Sequence, residues 1–466
     1  MRCKSVILLI YLLSCCPFMM AKGKRPDWPN VVFILVDDLG WSDLSIYGNA
    51  VHETPNIDRL AASGMTFTDA YASAPICSAS RASLLTGKSP ARLRFEFVTK
   101  PDGSAVPEGT MLQQPAYPRD FPLSEKTIAE LLPPDYVSGY FGKWHLTQEN
   151  DRYLGWGDKY GPLQQGFATG SEHRGSHSYG YKPTEKGAFG NVDEGMFPVD
   201  SVTEQSIRFM EQHRDEPFML YYSMYYVHAP VQTRTKWLYD KYRAKLGPDA
   251  GEKAIHYAAF IETMDHYIGQ LLDALEKLKL EEHTLIVFTS DNGGDPRFSK
   301  SESLRGGKWT LYEAGIRIPT IVSWKNVIRA GSVSGDPING YDWYPTIAEL
   351  TGNGALMGSQ VDGRSIVPLL LNGQWPAAER DRMLYWHFPF YHQPVVNSKP
   401  QSAIRIGKYK VVYFYEDDRT ELFDLDSDEA EQHDISKVQP EQAAKMRKML
   451  FDKLNAVQAR MPYPKL

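Results

Sequence analysis

Val31-Val32-Phe33-Ile34-Leu35-Val36, followed at once by Asp37-Asp38-Leu39-Gly40, decides how the rest of the chain is read. An unbroken apolar run rich in β-branched residues has no polar face to show to water. It predicts a strand buried on both sides, the kind found in parallel sheets. Three later stretches repeat the pattern of a strand closed by a polar cluster. Tyr136 to Phe141 runs into Gly142-Lys143-Trp144-His145, and Phe218 to Val227 runs into His228-Ala229-Pro230. Thr284 to Thr289 runs into Ser290-Asp291-Asn292-Gly293-Gly294. Helical patterns lie between them at Pro55 to Leu60, Ser201 to Gln212 and Lys253 to Leu278, and another follows at Tyr344 to Leu350. Alternating strands and helices predict an α/β fold with a large mixed, mostly parallel sheet sandwiched by helices. In such sheets ligands bind beyond the carboxyl ends of the strands, so the four polar clusters are expected on one rim. Taken singly, an Asp-Asp or a His-x-Pro is more often a turn or a surface group.

Outward from these strands the pattern is less regular. Thr54 and the Ser201-x-x-Glu204 box are expected to cap their helices, and Gly64 to end the first. Arg92 to Leu123 reads as a long surface loop, Glu125 to Leu132 as a helix, and Gly155 to Asn191 as a second loop. Ile316 to Trp324 offers a further strand. After about Asn372 the texture changes to short strands at Ala403 to Ile406, Tyr409 to Tyr415 and Glu421 to Leu425, then a closing helix from Glu441 to Val457. This predicts a smaller C-terminal antiparallel sheet plus helix, residues 373–466, after a main unit of residues 27–372.

Composition narrows the class. Charged residues make up 23% and hydrophobic ones 42% of the 466, which fits a chain with a large core and no extended disorder. A formal charge of -6 gives neither a nucleic-acid footprint nor a polybasic membrane patch. Arg2 and Lys4 precede a short apolar run, Val6 to Leu13, too short to span a bilayer. Residues 1–21 are expected to be a signal peptide, giving an exported protein, periplasmic or secreted. Leu12-Leu13-Ser14-Cys15 also approximates a lipobox, and lipidation at Cys15 would anchor the chain instead. Of the four cysteines, Cys3, Cys15 and Cys16 fall in this region. Cys77 is then alone, cannot form an intramolecular disulfide, and invites a functional explanation in an exported protein.

Cys77 opens the stretch Cys-Ser-Ala-Ser-Arg-Ala-Ser-Leu-Leu-Thr-Gly87, read as a helix start with Arg81 one turn on and Gly87 as the stop. A helix start favours negative charge, which suits a nucleophile that attacks an anion. A buried, inert cysteine is the competing reading. Asp37, Asp38, Asp291 and Asn292 supply hard oxygen donors and suit Ca²⁺, with Mg²⁺ second, if they are more than loop caps and a tight turn.

The Cys77–Gly87 stretch resembles the signature of the type I, formylglycine-dependent sulfatases of the alkaline-phosphatase-like superfamily, with Ala79 where that family usually has proline. Gly142-Lys143-Trp144-His145 resembles its second signature. Leu304-Arg305-Gly306-Gly307-Lys308, with Tyr312-Glu313-Ala314-Gly315 after it, resembles the segment carrying its leaving-group lysine. The likeness runs in order from Asn30 to Leu350 and continues weakly through Gly407-x-Tyr409-Lys410 and Leu422-Phe423-Asp424-Leu425.

The resemblance implies that Cys77 is oxidised to formylglycine by a maturation enzyme, and that its hydrate attacks sulfur. It implies a cation held by Asp37, Asp38, Asp291, Asn292 and residue 77. Arg81 would steady the hydrate, Lys143 hold sulfate charge, His228 and Lys308 assist the leaving alcohol, and His145 remove the last proton. His173, Arg174 and His177 are candidate substrate contacts, though a His-x3-His in a loop is more often neither ligand nor contact. Trp386-His387 to His392 reads as core packing more readily than as a sugar platform. The expected substrate is a sulfated poly- or oligosaccharide. A phosphodiesterase or phosphonate hydrolase of the same superfamily, or a glycan-binding protein with unmodified Cys77, are the alternatives.

Overall fold

The computed structural model describes residues 28–100, 106–149, 154–182, 187–300, 303–358, 360–376, 381–392 and 396–465. The expected signal peptide, with Cys3, Cys15 and Cys16, lies outside the described residues. Eight strands form the main sheet: β1 Asn30–Val36, β2 Met65–Phe67, β3 Val137–Gly142, β4 Thr169–Ser171, β5 Phe218–Ser223, β6 Thr284–Ser290, β7 Thr320–Ser323 and β8 Ser332–Ser334. Their order is β8-β2-β7-β6-β1-β5-β3-β4. β1 runs parallel to both neighbours, and only β7 is antiparallel to the strands beside it. The sheet is therefore mixed and mostly parallel, as expected.

Alternate residues of β1 feed two separate cores. Val31, Phe33 and Leu35 pack with Leu84 and Leu85 of helix α2 (Cys77–Thr86) and with Trp343, Tyr344 and Ile347. Val32, Ile34 and Val36 pack with Ile57 and Leu60 of α1 (Pro55–Ala62), Phe209 of α3 (Ser201–Gln212) and Phe260, Met264 and Ile268 of α4 (Glu252–Lys277). Period-two alternation in an all-apolar strand is what helices on both faces require. Trp343 belongs to α5 (Trp343–Leu350).

A second sheet of β9 Met383–Phe388, β10 Gln401–Ile406, β11 Tyr409–Phe414 and β12 Arg419–Asp424 is wholly antiparallel. One face carries helix α6 (Pro440–Ala456) through Met446, Leu450 and Leu454. The other places Leu384, Trp386, Phe388 and Val412 against Ile76, Ala79, Trp309 and Leu311. The small sheet therefore backs the segments that carry Cys77 and Lys308. Trp386 and His387 are buried core groups: Trp386 Nε1 donates to Ala72 O at 2.8 Å, and His387 Nε2 lies 2.9 Å from Arg460 O.

Several expectations give way to tertiary contacts. The helix at Glu125 to Leu132 is a single turn, Ala129–Leu131, because Ile128 N–H donates to Leu85 O and Thr127 N–H to Glu130 Oε2. Strand β5 ends at Ser223. Met224 to Val227 then cross the end of β1, with Met224 N–H on Leu35 O and Val227 N–H on Asp37 O. Asp200, not Ser201, caps α3, accepting from Thr203 N–H at 2.8 Å. Thr54 precedes α1 without capping it; its hydroxyl serves Ser45, and Ser63 rather than Gly64 is the terminal cap. Within the expected surface loop, Phe95 to Thr99 is buried. Strand β9, with no clean alternation in its own residues, is set by its pairing with β10.

Candidate active site

Register brings the strand ends level. Val36 pairs with Ser290 and Gly142 with Ser223, so Asp37, Asp291 and Lys143 each follow the last residue of neighbouring strands. Gly142 has φ 104°, and a Cβ there would lie 1.9 Å from Ser223 O, so only glycine lets β3 turn Lys143 into the rim. Asp38 and His145 hold positive φ of 63° and 58° without being glycine, the sort of backbone strain that collects at functional sites.

Cys77 is the first residue of α2, and Gly87, at φ 68°, ends the helix with its N–H on Ser83 O. The Cys77 side chain reaches the acidic pair: Sγ lies 3.5 Å from Asp37 Oδ1 and 3.7 Å from Asp38 Oδ1. Ligand atoms of Asp37, Asp38, Cys77 and His228 all lie within 4.8 Å of one another. Asp291 and Asn292 border this group. Asp291 Oδ1 accepts Asp38 N–H at 3.1 Å, and Asn292 Nδ2 donates to Asp38 Oδ1 at 2.8 Å.

Cations interleave with these acids. Arg81 Nε donates to Asp291 Oδ2 at 2.8 Å, and its Nη1 to Lys143 O and Ser223 Oγ at 3.0 and 2.7 Å. Lys143 Nζ pairs with Asp37. Lys308 Nζ lies 2.8 Å from Asp38 Oδ2 and 3.4 Å from Cys77 Sγ. His228 Nε2 faces Asp38 Oδ2 at 3.6 Å. His145 Nε2 lies 3.1 Å from Thr99 O.

Burial sets the protonation states. Burial would raise the Asp38 carboxyl, but Lys308, His228 and Lys143 hold it well below the usual range. Burial pushes the Cys77 thiol well up despite Lys143 and Lys308, so an unaltered sulfur here stays a neutral thiol and a poor nucleophile. Burial lifts Asp291 to about 6, helped by Asp37 and opposed by Arg81. Burial also lowers His145 well below its normal value and His228 to about 3, the latter against the pull of Asp38.

Residues 29–353 match the sulfatase family, and residues 307–460 match the C-terminal region of N-sulphoglucosamine sulphohydrolase. The chain belongs to the sulfatase family. As a sulfatase it is a hydrolase that releases sulfate from sulfate esters. Arylsulfatase A of Homo sapiens is 32% identical over 83% of this chain and 75% of its own length. N-acetylgalactosamine-6-sulfatase of Mus musculus is 30% identical over 88% and 76%. A sulfatase of Formosa agariphila is 28% identical over 94% and 90%. Among solved structures, Ps i-CgsB in complex with k-i-k-neocarrahexaose superposes with a TM-score of 0.74 at 26% identity, covering 92% of this chain and 93% of that one.

The rim brings together Asp37, Asp38, Cys77, Arg81, Lys143, His228, Asp291, Asn292 and Lys308. The loop triad behaves differently. His173 is exposed, and the Arg174 guanidinium lies 5.8 Å from the Tyr179 ring centre. His177 is fully buried, with Nε2 2.8 Å from His228 O and Nδ1 accepting Tyr179 N–H at 3.1 Å. Both of its nitrogens are engaged by the protein, one of them on the backbone of His228. Ser223, Thr99 and Tyr179 touch the rim residues and were not anticipated. Single hydroxyls in loops or at a strand end carry no periodic signal. No helix among the described residues is long and apolar enough to cross a membrane.

Proposed function

We propose that this sulfatase removes sulfate from a sulfated oligo- or polysaccharide, using residue 77 as formylglycine beside a divalent cation. The observation that carries the reading is the convergence of Cys77 Sγ with two carboxylates and Lys308 at one sheet rim. In this reading Sγ stands where the oxygen of the matured side chain would be. The glycan follows from relatives that act on N-acetylgalactosamine 6-sulfate, as their names state, and from the neocarrahexaose bound to Ps i-CgsB.

The residues fit a hard cation. Asp37, Asp38 and Asp291 offer carboxylates, and Asn292 Oδ1 is a buried carbonyl oxygen with no hydrogen-bond partner among the described residues. Ca²⁺, with Mg²⁺ second, takes such oxygen-only sets. The cation would polarise a sulfate oxygen, and formylglycine would supply the nucleophilic hydroxyl of its hydrate. The remaining work falls to the chain. Arg81, Lys143 and Lys308 hold three fixed positive charges where the ester's anion must sit, which offsets its charge as the leaving oxygen gains more. His228, neutral in the empty site and protonated at Nε2 once the anionic ester favours its imidazolium, gives that proton to the leaving oxygen. Thr99 O accepts from His145 Nε2, which leaves Nδ1 to take a proton from the hydroxyl of residue 77 and so free the product. Export and a formylglycine-generating maturation enzyme complete the proposal.

A desulfation screen on defined sulfated oligosaccharides, run beside phosphate esters of the same alcohols, tests it. Sulfate release without comparable phosphate release is expected; faster phosphate turnover, or none of either from aldehyde-bearing protein, overturns it. Chelation should abolish release and lower the unfolding midpoint, since a cation at a hundredfold excess over its Kd stabilises by about 2.7 kcal/mol.

A further inference from the structure

We infer that the turn His177–Gly180 is a positioning device for His228, with Tyr179 fixing its ring and His177 its backbone. The inference rests on His228 being the proton donor proposed above.

The hydrogen bonds decide which nitrogen does what. His228 Nδ1 lies 2.5 Å from Ala229 O and 2.8 Å from Tyr179 Oη. A carbonyl oxygen can only accept, so Nδ1 must carry the hydrogen, and the Tyr179 oxygen shares it. Nε2 is then the nitrogen left to exchange a proton with the site, and it is the one that faces Asp38 Oδ2 at 3.6 Å. The same turn grips the main chain. His177 accepts Tyr179 N–H at Nδ1, so in its neutral form the hydrogen sits on Nε2 and is donated to His228 O. The His177 ring also lies tilted against Tyr179, 4.7 Å between centres, and the Tyr179 ring lies 5.9 Å from that of His228. Burial, which lowers His177 to about 3, keeps it in that neutral form. Two adjacent contacts thus define both where the imidazole starts and which way it points. Such outer partners set the ring orientation of a working histidine.

The consequence concerns the leaving group. As the S–O bond to the departing alcohol breaks, its electron pair stays on oxygen; His228 acts as its imidazolium, which the bound sulfate anion favours, so a proton passes from Nε2 to that oxygen and the ring is left neutral with its hydrogen on Nδ1. An ester of 4-nitrophenol needs little of this help, because its phenolate is stable at neutral pH. Phenyl sulfate, of nearly the same shape, needs more. A misaligned His228 should therefore harm phenyl sulfate selectively, whereas a merely structural defect should harm both esters alike.

The test is kcat and KM of the matured full chain on the two esters. Tyr179→Phe should cut kcat for phenyl sulfate about 10-fold, a part of the 10²–10⁴ that a proton donor supplies, with KM within about twofold and a fall of under about threefold for 4-nitrophenyl sulfate. His177→Ala should show the same selectivity, and His177→Gln, which keeps a donor for His228 O, should recover most of it. Equal losses on both esters, or none, overturn the inference. His228→Asn separates the two ideas. If it spares phenyl sulfate turnover, the proton-donor reading fails; if it removes turnover while Tyr179→Phe and His177→Ala do not, only the positioning role fails.

Discussion

Two of the buried-charge clusters among the described residues differ in what they leave open. One is the rim around Cys77. The other is a seam between the two sheets. There Lys410 Nζ lies 2.7 Å from Glu313 Oε1 and 2.9 Å from Glu431 Oε1, Glu431 Oε2 accepts Glu313 N–H, and Tyr71 donates to Glu313 Oε2. Arg317 and Arg405 close the seam on Asp69, at 3.1 and 3.3 Å. Both clusters are nearly dry and both hold perturbed groups. At the seam the ionic groups answer one another. Even Glu431 Oε1, which accepts no hydrogen bond among the described residues, has the Lys410 ammonium 2.9 Å away; at the rim Asn292 Oδ1 has no hydrogen-bond partner among the described residues, Arg81 Nη2 lies 3.7 Å from Asp37 Oδ1, and His228 keeps 13% of its side chain exposed. Burial and charge together therefore do not mark a catalytic centre. Unspent polar atoms beside an opening do, because a satisfied ion network has nothing to offer a ligand.

The contrast can be broken most forcefully at Cys77. Cys77→Ala should reduce sulfate release by at least about 10³-fold, the scale on which a lost nucleophile acts. Its thermal midpoint should stay close to that of the parent, as scanning calorimetry would show. Substantial remaining turnover would place the chemistry elsewhere. The seam should respond in the opposite sense. Lys410→Met strands Glu313 and Glu431 in the interior and should cost about 3–5 kcal/mol in urea unfolding. Sulfate release per folded molecule should change little, because the Lys410 ammonium pairs with Glu313 and Glu431 rather than with the acids around Cys77. A large loss of turnover without unfolding would join the two clusters into one.

The smallest effect sharpens the seam alone. Burial lifts the Glu431 carboxyl to about 7, against the pull of Lys410 and with a further push from Glu313. Its folded value is raised above the unfolded one, so the native state binds more protons between the two. The stability linked to Glu431 is full below about pH 4.5 and is lost as pH rises through 7. Glu431→Gln should remove that part of the slope, so its stability relative to the parent should improve from pH 4.5 to pH 7. An unchanged slope in urea titrations across that range would show that Glu431 is not raised.

Some of this was legible in single residues and some was not. The apolar runs ending in Asp37, Lys143, His228 and Asp291 announced both the sheet and its working edge, because a doubly covered strand must be apolar throughout and can turn polar only where it leaves the core. Glu313 and Lys410 stood in stretches resembling the family, yet they lie in the seam and not at the rim; motif likeness does not separate holding from reacting. The spacing of His177 with His173 is visible in the sequence, whereas its bond to His228 O spans 51 residues. Phe95 to Thr99 and strand β9 went unrecognised for a related reason. Their burial comes from partners across the fold, and nothing in their own spacing repeats.

The sequence by itself determined a doubly covered sheet, a rim of acids and bases at its strand ends, and a cysteine at a helix start. These follow from local rules, since apolar period, turn residues and residue type act within a few positions. Only the tertiary structure decided which polar groups meet. Strand register sets Asp37 level with Asp291, the crossing after Ser223 delivers His228 to Asp38, and the small sheet presses Trp309 and Leu311 into place beside Lys308. Such meetings depend on packing between segments far apart in the chain, and a linear pattern holds no record of that distance.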